Sequence, residues 1–188
     1  MGIIVLIIAL LLACADQLIK LLAVEHLQGK GIVTVINKLL YLNYAENRGA
    51  AFSMLANHRW IFIVFTFIAI GALIYVVFSK KIKNKLFLAS AAMIIGGGIG
   101  NLIDRIRLGY VVDYIYWSFF KPVCNFADYC ITFGTALLMI YIIFYTDTLN
   151  DHKEHMPDTG EVQKTDDKSN DTGTSVDDKD NSTSNEEV

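Results

Sequence analysis

The chain alternates long apolar runs with short polar interruptions, and the runs have the length of a membrane crossing. Residues 2–15 are almost unbroken apolar; Asp16, Gln17 and Lys20 interrupt the run, and residues 21–24 continue it. About 20 residues of helix span a hydrocarbon core. The pattern therefore predicts a first transmembrane helix with polar groups toward its far end. Residues 60–79 predict a second, opened by Trp60 where an interfacial aromatic belongs. Residues 86–103 and 129–145 predict a third and a fourth. The segment 25–58 is polar and mixed. Within it, residues 32–36 and 39–44 are strand-like by their β-branched and aromatic content. Asn47-Arg48-Gly49 marks a turn, and residues 50–55 read as a short amphipathic helix. The expected fold is membrane α-helical: four transmembrane helices, a small extracytoplasmic β-sheet or cradle at about 25–58, and a short surface helix.

The first apolar run has two competing readings. A cleaved secretory signal would carry a basic leading region, and only the α-amine is there. Leu11-Leu12-Ala13-Cys14 resembles a weak lipobox, but more membrane-spanning sequence follows it and no exported domain does. A transmembrane helix is the reading kept. Lys80, Lys81, Lys83 and Lys85 fall between the second and third helices. Short cytoplasmic loops collect Lys and Arg, so this hairpin is expected inside, with both termini cytoplasmic and segment 25–58 outside. Arg105, Arg107 and Lys121 then lie outside, against the rule, with a lower charge density than the lysine hairpin.

Charge divides the chain more sharply than its average does. The net charge is −3 overall. From Asp147 onward there are 13 acids and 4 lysines, whereas the first 146 residues hold 6 acids and 12 Lys or Arg. Residues 1–147 are read as the membrane domain and 148–188 as an acidic cytoplasmic tail, too poor in large apolar residues to fold by burial. His152 and His155 in that tail are read as a solvated pair. Cys14, Cys124 and Cys130 make no even disulfide framework and are read as packing residues.

Most of the chemistry falls between residues 96 and 132. Asp104, Asp113 and Asp128 are half of the six acids before residue 147. Gly96 and Gly100 have the GxxxG spacing that lets a helix approach closely; this glycine run lacks the strand and lysine of a phosphate loop. Asn101 and Arg105, four residues apart, share a helix face. Asn101 suits an interhelical hydrogen bond, and Arg105 suits snorkelling to a lipid phosphate. Asp128 has a simple explanation, since Asn125-Phe126-Ala127-Asp128 reads as a helix N-cap with an acid three residues on. Asp113 has none as good: it sits among Val111, Val112, Tyr114, Ile115, Tyr116 and Trp117, where a lone carboxylate is costly unless paired or protonated. A two-carboxylate catalytic pair is the sharper reading of both.

Five motifs, in order, carry a resemblance. Asp16-Gln17-Leu18-Ile19-Lys20, Asn47-Arg48-Gly49-Ala50-Ala51-Phe52, Gly100-Asn101-Leu102-Ile103-Asp104-Arg105, Val112-Asp113 and Asn125-Phe126-Ala127-Asp128 together resemble the lipoprotein signal peptidases, signal peptidase II of bacteria. The resemblance covers roughly residues 1–147. It implies an aspartyl endopeptidase of the bacterial inner membrane that removes signal peptides from prolipoproteins, cutting before a diacylglyceryl-modified cysteine. It implies Asp113 and Asp128 as the catalytic pair, with Asn47, Asn101, Arg105 and Asn125 lining or bracing the site and Asp16 and Lys20 supporting it. It further implies lipid-modified prolipoprotein signal peptides and membrane lipids as partners, sensitivity to globomycin-type inhibitors, and neither a cofactor nor nucleic acid.

Other classes fare worse. His26 and His58 fall in no motif with Ser or Cys, which speaks against a serine or cysteine protease, and no clustered ligands speak for zinc. The main alternative is a small four-helix transporter or channel subunit that uses Asp113, Asp128 and Arg105 as an ion or proton path.

Overall fold

In the computed structural model, residues 1–49, 59–79 and 82–145 are described. They form eight elements: α1 Gly2–Leu27, β1 Val33–Ile36, β2 Leu40–Asn47, α2 Arg59–Phe78, α3 Lys85–Arg107, β3 Val111–Trp117, β4 Phe120–Cys124 and α4 Phe126–Tyr145. The short helix expected at 50–55, the tail at 148–188 and part of the lysine hairpin lie outside the described residues.

Among the described residues, four helices are long and apolar enough to cross a membrane. At about 1.5 Å per residue even the 20-residue α2 and α4 reach roughly 30 Å. α3 begins where Asn84 caps it, its side chain accepting from the Leu86 N–H at 2.8 Å. α3 is the central helix, and α1, α2 and α4 all pack on it. Its glycines make that possible by facing three ways. A Cβ on Gly96 would lie 2.8 Å from the Ala9 carbonyl oxygen of α1, and one on Gly97 would lie 2.5 Å from that of Ala127 in α4. Gly98 faces Thr66 and Ile70 of α2, and Gly100 faces the Asp16 carboxyl. The Gly96/Gly100 spacing thus serves packing against α1.

An apolar core of Val5, Ala9, Val77, Phe87, Ala91, Ala92, Ile95 and Tyr141 fills one end of the bundle. Ile3, Leu10, Leu11, Phe65, Phe67 and Phe144 point outward, each more than half exposed, as side chains facing lipid tails do.

The strands form one antiparallel sheet, ordered β1-β2-β3-β4. Strands near residues 32–36 and 39–44 were expected; β3 and β4 were not. β3 is the run of β-branched and aromatic residues around Asp113, and it extends the sheet directly from the end of α3. Pairs Leu42↔Ile115 and Ala45↔Asp113 leave one extra residue on β2. This bulge lies beside Asp113, and bulges of this kind are common next to functional sites.

Candidate active site

Asp113 lies on β3 and Asp128 in the first turn of α4. The link between them is Asn125, the residue before α4. Asn125 Oδ1 accepts from the Asp128 N–H at 2.9 Å, and Asp128 Oδ2 accepts from the Asn125 N–H at 3.2 Å. This is a reciprocal capping box. The same Asn125 side chain donates from Nδ2 to Asp113 Oδ1 at 2.6 Å. One residue therefore starts α4, aims Asp128 and holds Asp113.

Asp113 is 2% exposed. Its other oxygen accepts from Asn47 Nδ2 at 3.0 Å, and Asn47 Oδ1 in turn accepts from the Gly49 N–H at 3.2 Å, which fixes the amide. Burial, and then the Asp128 charge, push the Asp113 carboxyl up to about 7, against the opposing pull of the Asn125 and Asn47 donors and of Lys20. This is the signature of two carboxylates sharing one desolvated site. Both acids line a cleft of about 810 Å³ with Asn47, Phe120, Pro122 and Cys124. Burial, and then the nearby carboxylates, raise the Cys124 thiol to about 11, which leaves it a poor nucleophile.

Behind the pair lies a fully partnered polar cluster. Asn101 donates from Nδ2 to Asp128 Oδ1 at 2.8 Å, and its Oδ1 accepts from Lys20 Nζ, also at 2.8 Å. Lys20 reaches Asp16 and Asp104 at 2.9 Å each. Asp16 Oδ1 accepts from the Ala127 N–H at 3.0 Å, so α1 grips the first turn of α4. Lys20, Asp16 and Asp104 are each at most 3% exposed. Unpaired charges at such a depth are strongly disfavoured, and here each is paired and hydrogen-bonded.

The expected residues fall into three positions. Asn47 and Asn125 touch Asp113; Asn101 touches Asp128; Asp16 and Lys20 sit one layer behind. Arg105 touches neither carboxylate by hydrogen bond. Its Nη1 donates to the Asn101 carbonyl at 3.4 Å, and its guanidinium lies 5.2 Å from the Phe62 ring centroid on α2. Two members of the cluster, Asp104 and Gln17, stood out in the sequence without being given a role. Asp104 accepts from Lys20, from Gln17 Nε2 at 2.9 Å and from the Val112 N–H at 3.1 Å. Gln17 also donates to the Gly100 carbonyl at 3.1 Å. The signal was present: Asp104 is an acid within an apolar helix.

Comparison with known proteins gives one answer. The profile described as signal peptidase (SPase) II matches residues 8–144. The lipoprotein signal peptidase of Caldanaerobacter subterraneus subsp. tengcongensis is 46% identical over 129 residues, covering 69% of this chain and 88% of that protein. That of Halothermothrix orenii is 40% identical over 136 residues, covering 72% and 92%. Two solved structures of bacterial membrane enzymes superpose with TM-scores of 0.67 and 0.68 at 26% and 28% identity, covering 84% and 76% of this chain and 94% of each of theirs. With the profile spanning most of the chain and four apolar helices around the paired acids, this multi-pass bacterial membrane protein belongs to the signal peptidase II family of peptidases.

Proposed function

We propose that the protein is an aspartyl endopeptidase that removes signal peptides from diacylglyceryl-modified prolipoproteins, cutting before the lipidated cysteine. The observation that carries this reading is the pairing of Asp113 and Asp128 through Asn125 at an open cleft.

Two carboxylates so placed share one proton near neutral pH. The ionised member takes a proton from water as that water attacks the scissile carbonyl. The protonated member polarises the carbonyl and then protonates the leaving amine. The pair titrates as a unit, so the roles belong to the pair. The amides of Asn47, Asn101 and Asn125 keep the carboxylates aimed, and Arg105 and Lys20 add positive charge that opposes the build-up of negative charge.

The lysine hairpin supports an orientation with both termini cytoplasmic and the sheet and acids at the extracytoplasmic face. There the substrate's lipid stays in the bilayer while water reaches the peptide bond. Residues 1–147 make up the peptidase domain on this reading, and 148–188 an acidic cytoplasmic tail outside it. Globomycin-type peptides are expected to occupy the same cleft. The test is incubation of the purified protein, in lipid, with a diacylglyceryl-modified prolipoprotein. Release of a mature chain whose first residue is the lipidated cysteine, by mass, is the expected result; an intact substrate would contradict it.

A further inference from the structure

β4 ends the sheet, so among the described residues no strand pairs with its outer edge. The strand runs along the cleft, and Phe120, Lys121, Pro122, Val123 and Cys124 all line it beside Asp113 and Asp128. It then passes directly into Asn125, whose side chain donates to Asp113 and whose N–H donates to Asp128. An unpaired strand edge therefore leads straight to the two acids.

The register says which backbone groups face outward. Ser118 and Phe119 make a two-residue turn between β3 and β4, and the pair flanking such a turn, Trp117↔Phe120, exchanges hydrogen bonds. The next pair is Ile115↔Cys124. Between them Tyr116 alone opposes Lys121, Pro122 and Val123, an excess of two residues on β4. Successive residues of a strand aim their N–H and C=O at opposite edges, and an even excess preserves that alternation. Phe120, Pro122 and Cys124 thus aim toward β3, and Lys121 and Val123 toward the open edge. A lysine and a proline on an edge strand also serve to blunt it against unwanted pairing. Here, however, the missing N–H of Pro122 is withheld from β3 and not from the open side. The outer edge keeps its donors and acceptors, and it keeps them inside the cleft.

We infer that the outer edge of β4 is the strand that receives the substrate backbone: the residues beside the scissile bond lie extended and pair with Lys121 and Val123, which brings the scissile carbonyl to Asp113 and Asp128. The inference deepens the peptidase reading above and rests on it. Edge strands take up peptides in this way through main-chain hydrogen bonds, without demanding a particular side-chain sequence. At about 3.3 Å per residue, Lys121 to Val123 matches roughly three residues of bound chain. A membrane-spanning signal helix has its own N–H groups already bonded. Pairing with β4 offers replacement bonds to the turn that unwinds, and so exposes a peptide bond to water.

The experiment uses the full-length protein in detergent and synthetic peptides spanning four residues on each side of the scissile bond, with a diacylglyceryl-modified cysteine. In each peptide one backbone N–H other than the scissile one is replaced by an ester oxygen, which deletes a single donor without adding bulk. On one side of the cut, every second ester is expected to lower kcat/KM about three- to tenfold and the intervening ones less than about twofold. In parallel, Val123→Pro removes an outward N–H of β4 and is compared with Val123→Ala, which loses the side chain and keeps the N–H. KM for the unmodified peptide is expected to be at least roughly fivefold higher for Val123→Pro than for Val123→Ala, with kcat within about threefold. Ester effects that are absent or do not alternate would overturn the inference and leave the peptidase reading intact. Alternating effects with equal KM for the two folded variants would put the pairing on another edge and overturn the assignment to β4. Should Val123→Pro not fold, Lys121→Pro against Lys121→Ala makes the same comparison at the other outward position, and the ester series on wild type stands by itself. No cleavage of the unmodified peptide by wild type would sink the peptidase reading, and this inference with it.

Discussion

The Asn125 amide donates to Asp113 over 2.6 Å while its oxygen accepts from the Asp128 N–H over 2.9 Å. One side chain both caps α4 and holds the Asp113 carboxyl, and the two contacts are separable by substitution. Ser replaces Asn well as a cap, whereas Ala forfeits roughly 1 kcal/mol. Asn125→Ser is therefore expected to melt within a few degrees of wild type, and Asn125→Ala lower. Both lose the donor to Asp113, so both are expected to lose about 10-fold or more in kcat. Equal activity of Asn125→Ser and wild type would mean the amide contact does not matter to the reaction.

The elevated Asp113 carboxyl makes a statement about pH. Its folded value of about 7 lies well above the ordinary carboxylate value of 3.8. The unfolded chain therefore loses this proton first as pH rises. Between about 4 and 7 the group's contribution to stability declines with rising pH, then levels off. Asp113→Asn removes that penalty. The melting temperature of the variant minus that of wild type, in detergent, is expected to grow from pH 4 to pH 7 and to stay flat above. A difference independent of pH would place the titration elsewhere.

Gly100 and Gly71 make a matched pair. A Cβ on Gly100 would collide with the Asp16 carboxyl, whereas nothing lies within 4 Å of one on Gly71. Gly100→Ala is expected to displace Asp16 from Lys20 and Ala127, lowering stability by about 1–3 kcal/mol as overpacking does and lowering activity with it. Gly71→Ala is expected to be neutral or slightly stabilising, since Ala is the better helix former. Thermal melting of both in the same detergent checks the contrast.

Trp117, at the far end of β3, donates from its indole to the Tyr129 hydroxyl at 2.5 Å. Tyr129 lies in the first turn of α4, so the sheet leans across the helix end. Trp and Tyr at the ends of membrane helices favour the lipid–water interface. With Trp60→Phe, Trp117 is the only tryptophan left. Its fluorescence is expected to be quenched by lipids brominated near the headgroup more than by lipids brominated near the chain ends. Equal lack of quenching by both would put this end of the sheet in water.

The helices were legible because their signal is local. Length and hydropathy define each span, so the expected 60–79, 86–103 and 129–145 differ from α2, α3 and α4 by a few residues at most. β3 was missed although its residue types favour a strand. Its partner β2 lies more than 60 residues away, and the single acid drew the reading toward chemistry. Asp113 stood out as a carboxylate in apolar surroundings, whereas Asp128 also fitted an ordinary helix start and drew its role from the motifs. Asp104 stood out as well but received no role, because what distinguishes it is a contact with Lys20 across 84 residues of chain. Arg105, placed on one helix face with Asn101 by spacing, donates to the Asn101 carbonyl and lies against Phe62.

The most direct measurement compares cleavage of a diacylglyceryl-modified prolipoprotein by wild type, Asp113→Asn and Asp128→Asn, each shown to be folded. Cleavage by wild type is expected, with a loss of at least roughly 10³-fold in kcat for either variant, since each removes one member of the proposed acid–base pair. Cleavage that survives either substitution at near wild-type rate would contradict the two-carboxylate mechanism.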